Sequence, residues 1–407
     1  MHKAIVELQE RGLIHQSTDL QALSDILDSG KAVYCGFDPT ADSLHVGSFL
    51  PLTVLKIFRN HNVPVIAVVG GATGRIGDPS FKAQERNVLS NDILQKNLDG
   101  ITKVIKSVLG DDDNVYITNN YDWAREMNVI DFMRLYGKCF TVNNMINKES
   151  VKNRIDRPDQ GISFAEFSYP IIQGMDFHYL YQVLDCGIQV GGSDQWGNMI
   201  AGTDIIHKLH PEANVGVITL PLLTKDDGAK FGKTESGTVW LSPDKTTPYQ
   251  FMQFWMNVSD TEMLKMYRMF KPLSFSTESV EREMEHNPVL MKSQFAIAMT
   301  HMIHGSELTT QAVKITDFFF DQNAILSDKD MDSMVQGGIQ EFSAGVDLVE
   351  TLVLTGLAKS KKMAREFIQN GAVKVDGIKV HEAGQFDSLN KRFVLQRGKN
   401  NFVVVNK

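Results

Sequence analysis

The chain has 407 residues, with 41 lysines and arginines against 49 aspartates and glutamates, for a formal net charge of −8. That length is too great for one hydrophobic core, so two or three domains are expected, and the acidic balance argues against a nonspecific nucleic-acid binder. Three cysteines (Cys35, Cys139, Cys186) without a Cys-x-x-Cys pair argue against a disulfide framework or a zinc ribbon and fit a reducing cytoplasm, and no apolar run is long enough to span a bilayer.

Residues 1–30 predict one or two helices closed by Ser29-Gly30. Met1 to Leu13, with Glu7 and Glu10 among its apolar residues, reads as an amphipathic helix rather than a signal or transit peptide. Ala32–Phe37 predicts the first strand. It ends at Asp38-Pro39-Thr40 because proline fixes φ and lacks an N–H. The chain then turns at Asp42-Ser43 and enters a helix through Leu50, Leu52, Val54, Leu55 and Phe58. His45 and Gly47 therefore fall at a helix N-terminus beyond a strand, where free N–H groups and the helix dipole suit a phosphate. Taken alone, His-x-Gly fits a plain turn with a surface histidine better than a phosphate site.

Pro64–Val69 is a continuous apolar run, the pattern of a strand buried on both faces of a parallel sheet. The spacing Gly71-x-x-Gly74-x-x-Gly77 matches neither a dinucleotide fingerprint nor a P-loop. It reads as backbone approaching a ligand with Asp78 pointing into the site, or as a flexible turn. A helix is expected over Asn91–Leu109, a strand over Val115–Thr118 and a helix over Val129–Tyr136. Residues 139–170 give no assignment. Phe164–Leu184 reads as helical, interrupted at Tyr169-Pro170. Tyr169, Gln173 and Asp176 recur at intervals of four and three on one face of it, as a solvent stripe or a pocket wall. The otherwise apolar helix favours the pocket.

Gly187–Val190 predicts a short buried strand, followed by Gly191-Gly192-Ser193-Asp194-Gln195 and a helix from Gly197. Ligands of doubly wound sheets bind beyond such strand ends. Val215–Thr219 predicts the last strand, and Lys225–Thr234 a basic loop whose lysines bracket Phe231-Gly232. Pro248 to Ala324 is helical in pattern, its many Met and Phe residues reading as core. Asp328–Gly338 reads as a linker. The tail predicts a helix from Asp347 and another over Lys361–Ile368, capped by Asn370-Gly371. It continues as a hairpin turning at Asp376-Gly377, with further strands at Phe393–Leu395 and Phe402–Val405. Residues 351–407 carry 11 basic and 4 acidic residues, or +7, and the other 350 carry 30 and 45, or −15. A basic RNA-binding module on an acidic body leaves this asymmetry.

The strand–His45-x-Gly47–helix and Lys230-Phe231-Gly232-Lys233-Thr234 together resemble the paired signatures of class I aminoacyl-tRNA synthetases. Tyr34-Cys35-Gly36-Phe37-Asp38-Pro39-Thr40 and Gly191 to Asn198 narrow the resemblance to the bacterial-type tyrosyl-tRNA synthetases, over essentially the whole chain. The tail resembles an S4-type RNA-binding module. Two departures stand out. Ser48 replaces the second histidine of the first signature, and Lys-Phe-Gly-Lys-Thr replaces Lys-Met-Ser-Lys-Ser in the second.

The resemblance implies an α/β architecture: a Rossmann-like parallel-sheet catalytic domain at 1–222, a catalytic loop and α-helical anticodon-arm domain at 223–325, a linker at 326–345, and a small α+β S4-like domain at 346–407. It implies activation of L-tyrosine by ATP, with Mg2+, and transfer to tRNA(Tyr) by a cytoplasmic homodimer whose dimer-forming insertion carries Lys152, Arg154 and Arg157. Thr40, His45, Lys82, Arg86, Lys230, Lys233 and Thr234 would stabilise the pyrophosphate as it leaves. Tyr34 and Asp176 would bind the substrate phenol, and Asp78, Tyr169 and Gln173 its ammonium. Cys35, Gly36, Asp38, Gly192, Asp194 and Gln195 would hold the nucleoside and the reacting groups, with Gly47 beneath the adenine and Ser48 near ATP. Lys359, Lys361, Lys362 and Arg365 are the tRNA candidates of the tail, and His207, Lys208 and Arg154 those for the acceptor stem. Two rival readings are a cofactor adenylyltransferase, which has no need of the RNA module, and a non-catalytic RNA-binding protein on the same scaffold, which has no need of His45 or the loop lysines.

Overall fold

The computed structural model of the protein describes residues 1–78, 89–147, 151, 161–224, 228, 231–234, 237–320, 326–336, 339–382, 389–398 and 401–407, and at 233–234 and 319–320 the backbone alone. Two units emerge: Met1–Leu241 with Leu264–Lys271, and Ser242–Met263 with Pro272–Lys407.

The first unit is built on a sheet of β1 (Gln16–Ser17), β2 (Ala32–Phe37), β3 (Val65–Val69), β4 (Val115–Asn119), β5 (Cys186–Gly192) and β6 (Gly216–Leu220). Its order is β1-β6-β5-β2-β3-β4, parallel except for β1. The helices are α1 (Lys3–Glu10), α2 (Leu20–Asp28), α3 (Phe49–Asn60), α4 (Thr73–Ile76), α5 (Asn91–Leu109), α6 (Tyr121–Ala124), α7 (Val129–Leu135), α8 (Val142–Ile146), α9 (Phe164–Val183) and α10 (Trp196–Leu209). All five residues of β3 are buried, as a strand covered on both faces requires. Tyr34, Ile66 and Val68 turn to one face, where Phe177 and Leu180 of α9 and Met199 and Ile206 of α10 meet them. β2 lies between β5 and β3 and pairs with both. The chain crosses to opposite sides there, and the crevice beyond the strand ends opens at that point.

Three local expectations are corrected. The two helices expected within 1–30 are present as α1 and α2, and β1 is an unexpected strand between them. Its two polar residues become a strand only because β6 offers an edge. α9 runs unbroken through Pro170. The proline removes one N–H, but tertiary packing holds the other turns: α9 lies so close on α10 that a Cβ on Gly174 would sit 3.2 Å from Gly202 N. β5 extends through Gly191 and Gly192, which the sequence places past the strand.

The second unit contains α11 (Pro248–Met256), α13 (Thr277–His286) and α14 (Pro288–Phe320, kinked at Gly305); α12 (Asp260–Phe270) is shared between the two units. A capping box starts α11, Thr247 and Gln250 satisfying each other's backbone N–H. The expected linker is corrected as well. It carries α15 (Asp328–Gln336) and β9 (Glu341–Ser343). Met331 and Met334, three apart, bury against Ile315, Phe318, Val394 and Val404. β9 pairs in parallel with β13 (Asn401–Asn406). The sheet it joins contains β10 (Val373–Val375), β11 (Ile378–Lys379) and β12 (Arg392–Arg397), in the order β11-β10-β12-β13-β9. α16 (Leu348–Leu354) and α17 (Lys361–Gln369) cover it with Leu348, Leu352, Ala364 and Ile368. Asp376 takes φ 47° in the tight turn from β10 to β11. In the first unit, β7 (Lys233–Thr234) and β8 (Gly237–Thr238) form a short hairpin.

Candidate active site

The carboxyl ends of β2, β3 and β5 open onto a cavity of about 770 Å³. Tyr34, Cys35, Gly36, Asp38, Thr40, His45, Gly47, Ser48, Asp78, Tyr169, Gln173, Asp176, Gly192, Asp194 and Gln195 all line it. Residues far apart in the chain thus meet in one place. Lys82, Arg86 and Lys230 lie outside the described residues, as do Lys152, Arg154 and Arg157. Lys233 and Thr234 are placed by backbone, in β7.

At the deep end, the Tyr34 hydroxyl is buried without a hydrogen-bond partner among the described residues. Its ring packs 5.3 Å from that of Phe177. Burial, then the Asp176 charge, raises the Tyr34 pKa well above its ordinary value. Asp176 is buried too, and burial lifts its carboxyl to about 7. Asn120 Nδ2 donates to its Oδ2 at 2.9 Å and Trp123 Nε1 to its Oδ1 at 2.8 Å. The same Asn120 nitrogen reaches Thr73 Oγ1 at 3.2 Å, and that hydroxyl donates to Asp38 Oδ1 at 3.0 Å. Asn120 Oδ1 accepts from Ala72 N at 2.6 Å. One asparagine therefore ties α9 to the β3–α4 turn. Nearby, Asp78 accepts from Gln195 Nε2 at 2.8 Å and Asn198 Nδ2 at 3.4 Å. Gln189 also lines the cavity, its Oε1 buried and unpartnered among the described residues. Burial pushes the Cys35 thiol up to about 12, so it supplies no thiolate nucleophile.

Asn120, Trp123, Thr73, Asn198 and Gln189 are absent from the sequence-based assignment. Asn119-Asn120 at the end of β4 had a usable signal, since polar residues just past a parallel strand fall where ligands bind. Trp123 had none, and Asn198 closes the Gly191–Asn198 motif without a role assigned to it.

At the other end, His45 caps the turn into α3. Its Nδ1 accepts from Gly47 N at 2.9 Å, so a neutral ring carries its proton on Nε2. The two signatures are joined by backbone. Val46 N donates to Val239 O at 2.9 Å and Val239 N to Gly232 O at 2.9 Å. Leu241 N donates to Leu44 O at 2.8 Å, and Phe231 N to Leu223 O at 3.0 Å. The Phe231-Gly232 pair is thus braced against the His45 turn through the strand-like segment 239–241. A buried polar end and a histidine-capped turn on one cavity suit a small polar-headed substrate and a phosphate-bearing one side by side.

Residues 29–321 match the family model described as tRNA synthetases class I (W and Y), and residues 309–405 match the Tyrosine--tRNA ligase SYY-like C-terminal domain. The chain is 44% identical to a tyrosine--tRNA ligase of Escherichia fergusonii, over 98% of both. It is also 44% identical to one of Chromobacterium violaceum, over 98% of this chain and 97% of that one. Among solved structures, a C-terminally truncated mitochondrial tyrosyl-tRNA synthetase of Coccidioides posadasii aligns with a TM-score of 0.67 at 29% identity, covering 77% of this chain and 92% of that one. The parallel sheet, the paired signatures and near-full-length relatives agree: the chain belongs to the tyrosine–tRNA ligase family of the class I tRNA synthetases.

Proposed function

We propose that this chain charges tRNA(Tyr) in two steps at the cavity of its first unit. First, a carboxylate oxygen of L-tyrosine attacks the α-phosphorus of ATP, the bond from that phosphorus to the bridging oxygen breaks, and pyrophosphate leaves. Then a hydroxyl of the tRNA 3′-terminal ribose attacks the tyrosyl carbonyl and AMP departs. Neither step needs a covalent protein nucleophile, because orientation and stabilisation of developing charge carry phosphoryl-type transfer.

The observation that carries this reading is the buried Tyr34 hydroxyl, without a hydrogen-bond partner among the described residues, beside the held carboxyl of Asp176. A phenol set between them donates to Asp176 and accepts from Tyr34. Asp78, Tyr169 and Gln173 take the ammonium, with Gln195 steadying Asp78. Thr40 and the Nε2 proton of His45 meet the pyrophosphate. Lys82, Arg86, Lys230, Lys233 and Thr234 add donors and positive charge to the same group. Cys35, Gly36, Asp38, Gly192, Asp194 and Gln195 hold the nucleoside and the reacting groups, with Gly47 under the base and Ser48 toward ATP. Among the described residues no three His, Cys, Asp or Glu side chains group as a metal cage. Magnesium would come with ATP as part of that substrate and would neutralise charge on its phosphates.

The tRNA reading of the second unit is supported by Lys359, Lys361, Lys362 and Arg365, all exposed at or near the N-terminal end of α17. The helix dipole adds to their field there, and phosphate is favoured. The homodimer reading is supported by Val129, Ile130 and Met133 of α7, Val142 of α8 and Phe164 of α9, large apolar side chains left in water. Among the described residues no helix is long and apolar enough to cross a membrane.

The test is ATP–pyrophosphate exchange with each standard amino acid in turn. Exchange with tyrosine alone supports the reading. A folded protein that binds tRNA but exchanges with none overturns it in favour of a non-catalytic RNA-binding role.

A further inference from the structure

His15 belongs to none of the motifs, yet it lines the cavity. It immediately precedes β1, which runs antiparallel along β6. Hydrogen bonds fasten this segment to β6 at both its ends. His15 N donates to Thr219 O at 2.8 Å, and Thr219 Oγ1 to Gln16 O at 3.0 Å. Thr18 N donates to Val217 O at 3.1 Å, and Val217 N to Thr18 Oγ1 at 3.2 Å. The backbone is therefore fixed while the imidazole is exposed. A side chain presented from a fixed segment loses little freedom when it meets a ligand.

Its place in the sheet says which part of a ligand it meets. Thr219 pairs with Gly191 and Leu220 with Gly192, so His15 sits at the carboxyl edge of the sheet, on the far side of β6 from Gly192. Leu222 and Leu223 line the cavity just past the end of β6, with Gly192 and the Asp194 carboxylate beside it across the strand. The Tyr34–Asp176 end belongs to β2 and α9, and the His45 turn follows β2. With the amino acid at one and the phosphates at the other, the space between Gly47 and the apolar Leu222 and Leu223 near β6 is left for a planar heterocycle.

We propose that His15 contacts the adenine of ATP there, as a further binding residue for the first step. Imidazole offers a flat face for stacking and a ring nitrogen for the base edge. The inference rests on the adenylation reading above and adds a residue to it.

The test is tyrosine-dependent ATP–pyrophosphate exchange by the full chain, wild type beside His15→Ala and His15→Gln. Wild-type exchange reads adenylation itself, so failure of that reading shows there and not in the variants. The expected result in both variants is a KM for ATP raised roughly fivefold or more, the scale of one aromatic contact, with kcat and the KM for tyrosine within about twofold. An unchanged KM for ATP overturns the proposal. So does a rise confined to the KM for tRNA in aminoacylation, which would place His15 against the tRNA end. Neither substitution removes a backbone bond to β6, and an unchanged Tm keeps the readout on binding.

Discussion

Asn120 Nδ2 lies 2.9 Å from Asp176 Oδ2, joining the end of β4 to the middle of α9 across 56 positions of sequence. Without Asn120 the buried carboxyl keeps Trp123 as its side-chain donor among the described residues. Leaving a buried polar group short of a partner costs about 1–3 kcal/mol. Asn120→Ala is therefore expected to lower kcat/KM for tyrosine by roughly ten- to a hundredfold in exchange assays. Asp176→Ala should instead erode the preference for tyrosine over phenylalanine, since phenylalanine no longer strands a buried carboxyl. Unchanged selectivity in Asp176→Ala would mean that the phenol binds elsewhere.

Two buried groups oppose each other in the pH dependence of stability. Burial raises Asp176 from its ordinary 3.8 to about 7, so between these values the folded protein keeps a proton that the unfolded chain has lost. Its contribution is full below 3.8 and is lost as pH rises through 7. Burial, then the neighbouring His210, lowers His178 from 6.5 to about 4. That contribution is full above 6.5 and is lost as pH falls through 4. From pH 4 to 6.5 the two slopes offset. In thermal melts, Asp176→Asn is expected to make stability climb more steeply with pH across that window, and His178→Gln to flatten or reverse the climb. Parallel Tm profiles for all three proteins would refute both assignments.

Rapid-quench measurement of tyrosyl-adenylate formation isolates the role of His45. With Nδ1 held by Gly47 N, the ring presents an Nε2 donor, which on the proposed reading meets a group that gains charge only as pyrophosphate leaves. His45→Ala is expected to slow this step by roughly a hundredfold, with the Kd for tyrosine essentially unchanged. A wild-type rate constant would remove His45 from the mechanism.

Gly232 has φ 83°, and a Cβ there would collide with Val46 Cγ1. Gly232→Ala strains the loop and displaces the turn that holds His45 at once. Exchange is expected to fall by roughly tenfold or more while tyrosine binding, measured by equilibrium dialysis, survives. Tyrosine binding lost in parallel would show that the damage reaches the whole cavity.

For the second unit, a Lys361→Glu, Lys362→Glu double variant reverses charge at the start of α17. It is expected to raise the KM for tRNA in aminoacylation by roughly tenfold at low salt, less at high salt, and to leave exchange unchanged. Equal tRNA kinetics at low salt would exclude this end of the helix from the RNA contact.

The elements that declare themselves in the sequence are those whose causes are local. Asn91–Leu109 is bounded by the Ser90 cap and by Gly110, and Val65–Val69 by its unbroken apolar run. The polar face of α9 was legible because Tyr169, Gln173 and Asp176 keep helical spacing, although Pro170 suggested a break that packing on α10 overrides. What escaped is long-range. Gln16–Ser17 has no strand character until β6 supplies an edge, and Trp123 shows its purpose only when folding brings it to Asp176. Met331 and Met334 hide an apolar stripe in a segment whose acidic residues suggest a tether.

That stripe changes where the chain can be divided. A fragment ending at residue 345 would keep Met331 and Met334 but lose Val394 and Val404, which cover them. A fragment beginning at 346 would lose β9 and leave β13 with a bare edge. One piece exposes a wet apolar seam and the other an unpaired strand, and both invite aggregation. Because Ile315 and Phe318 belong to the same cluster, the smallest self-contained C-terminal piece reaches back into α14. An exchange of C-terminal modules between relatives would have to carry that helix end along.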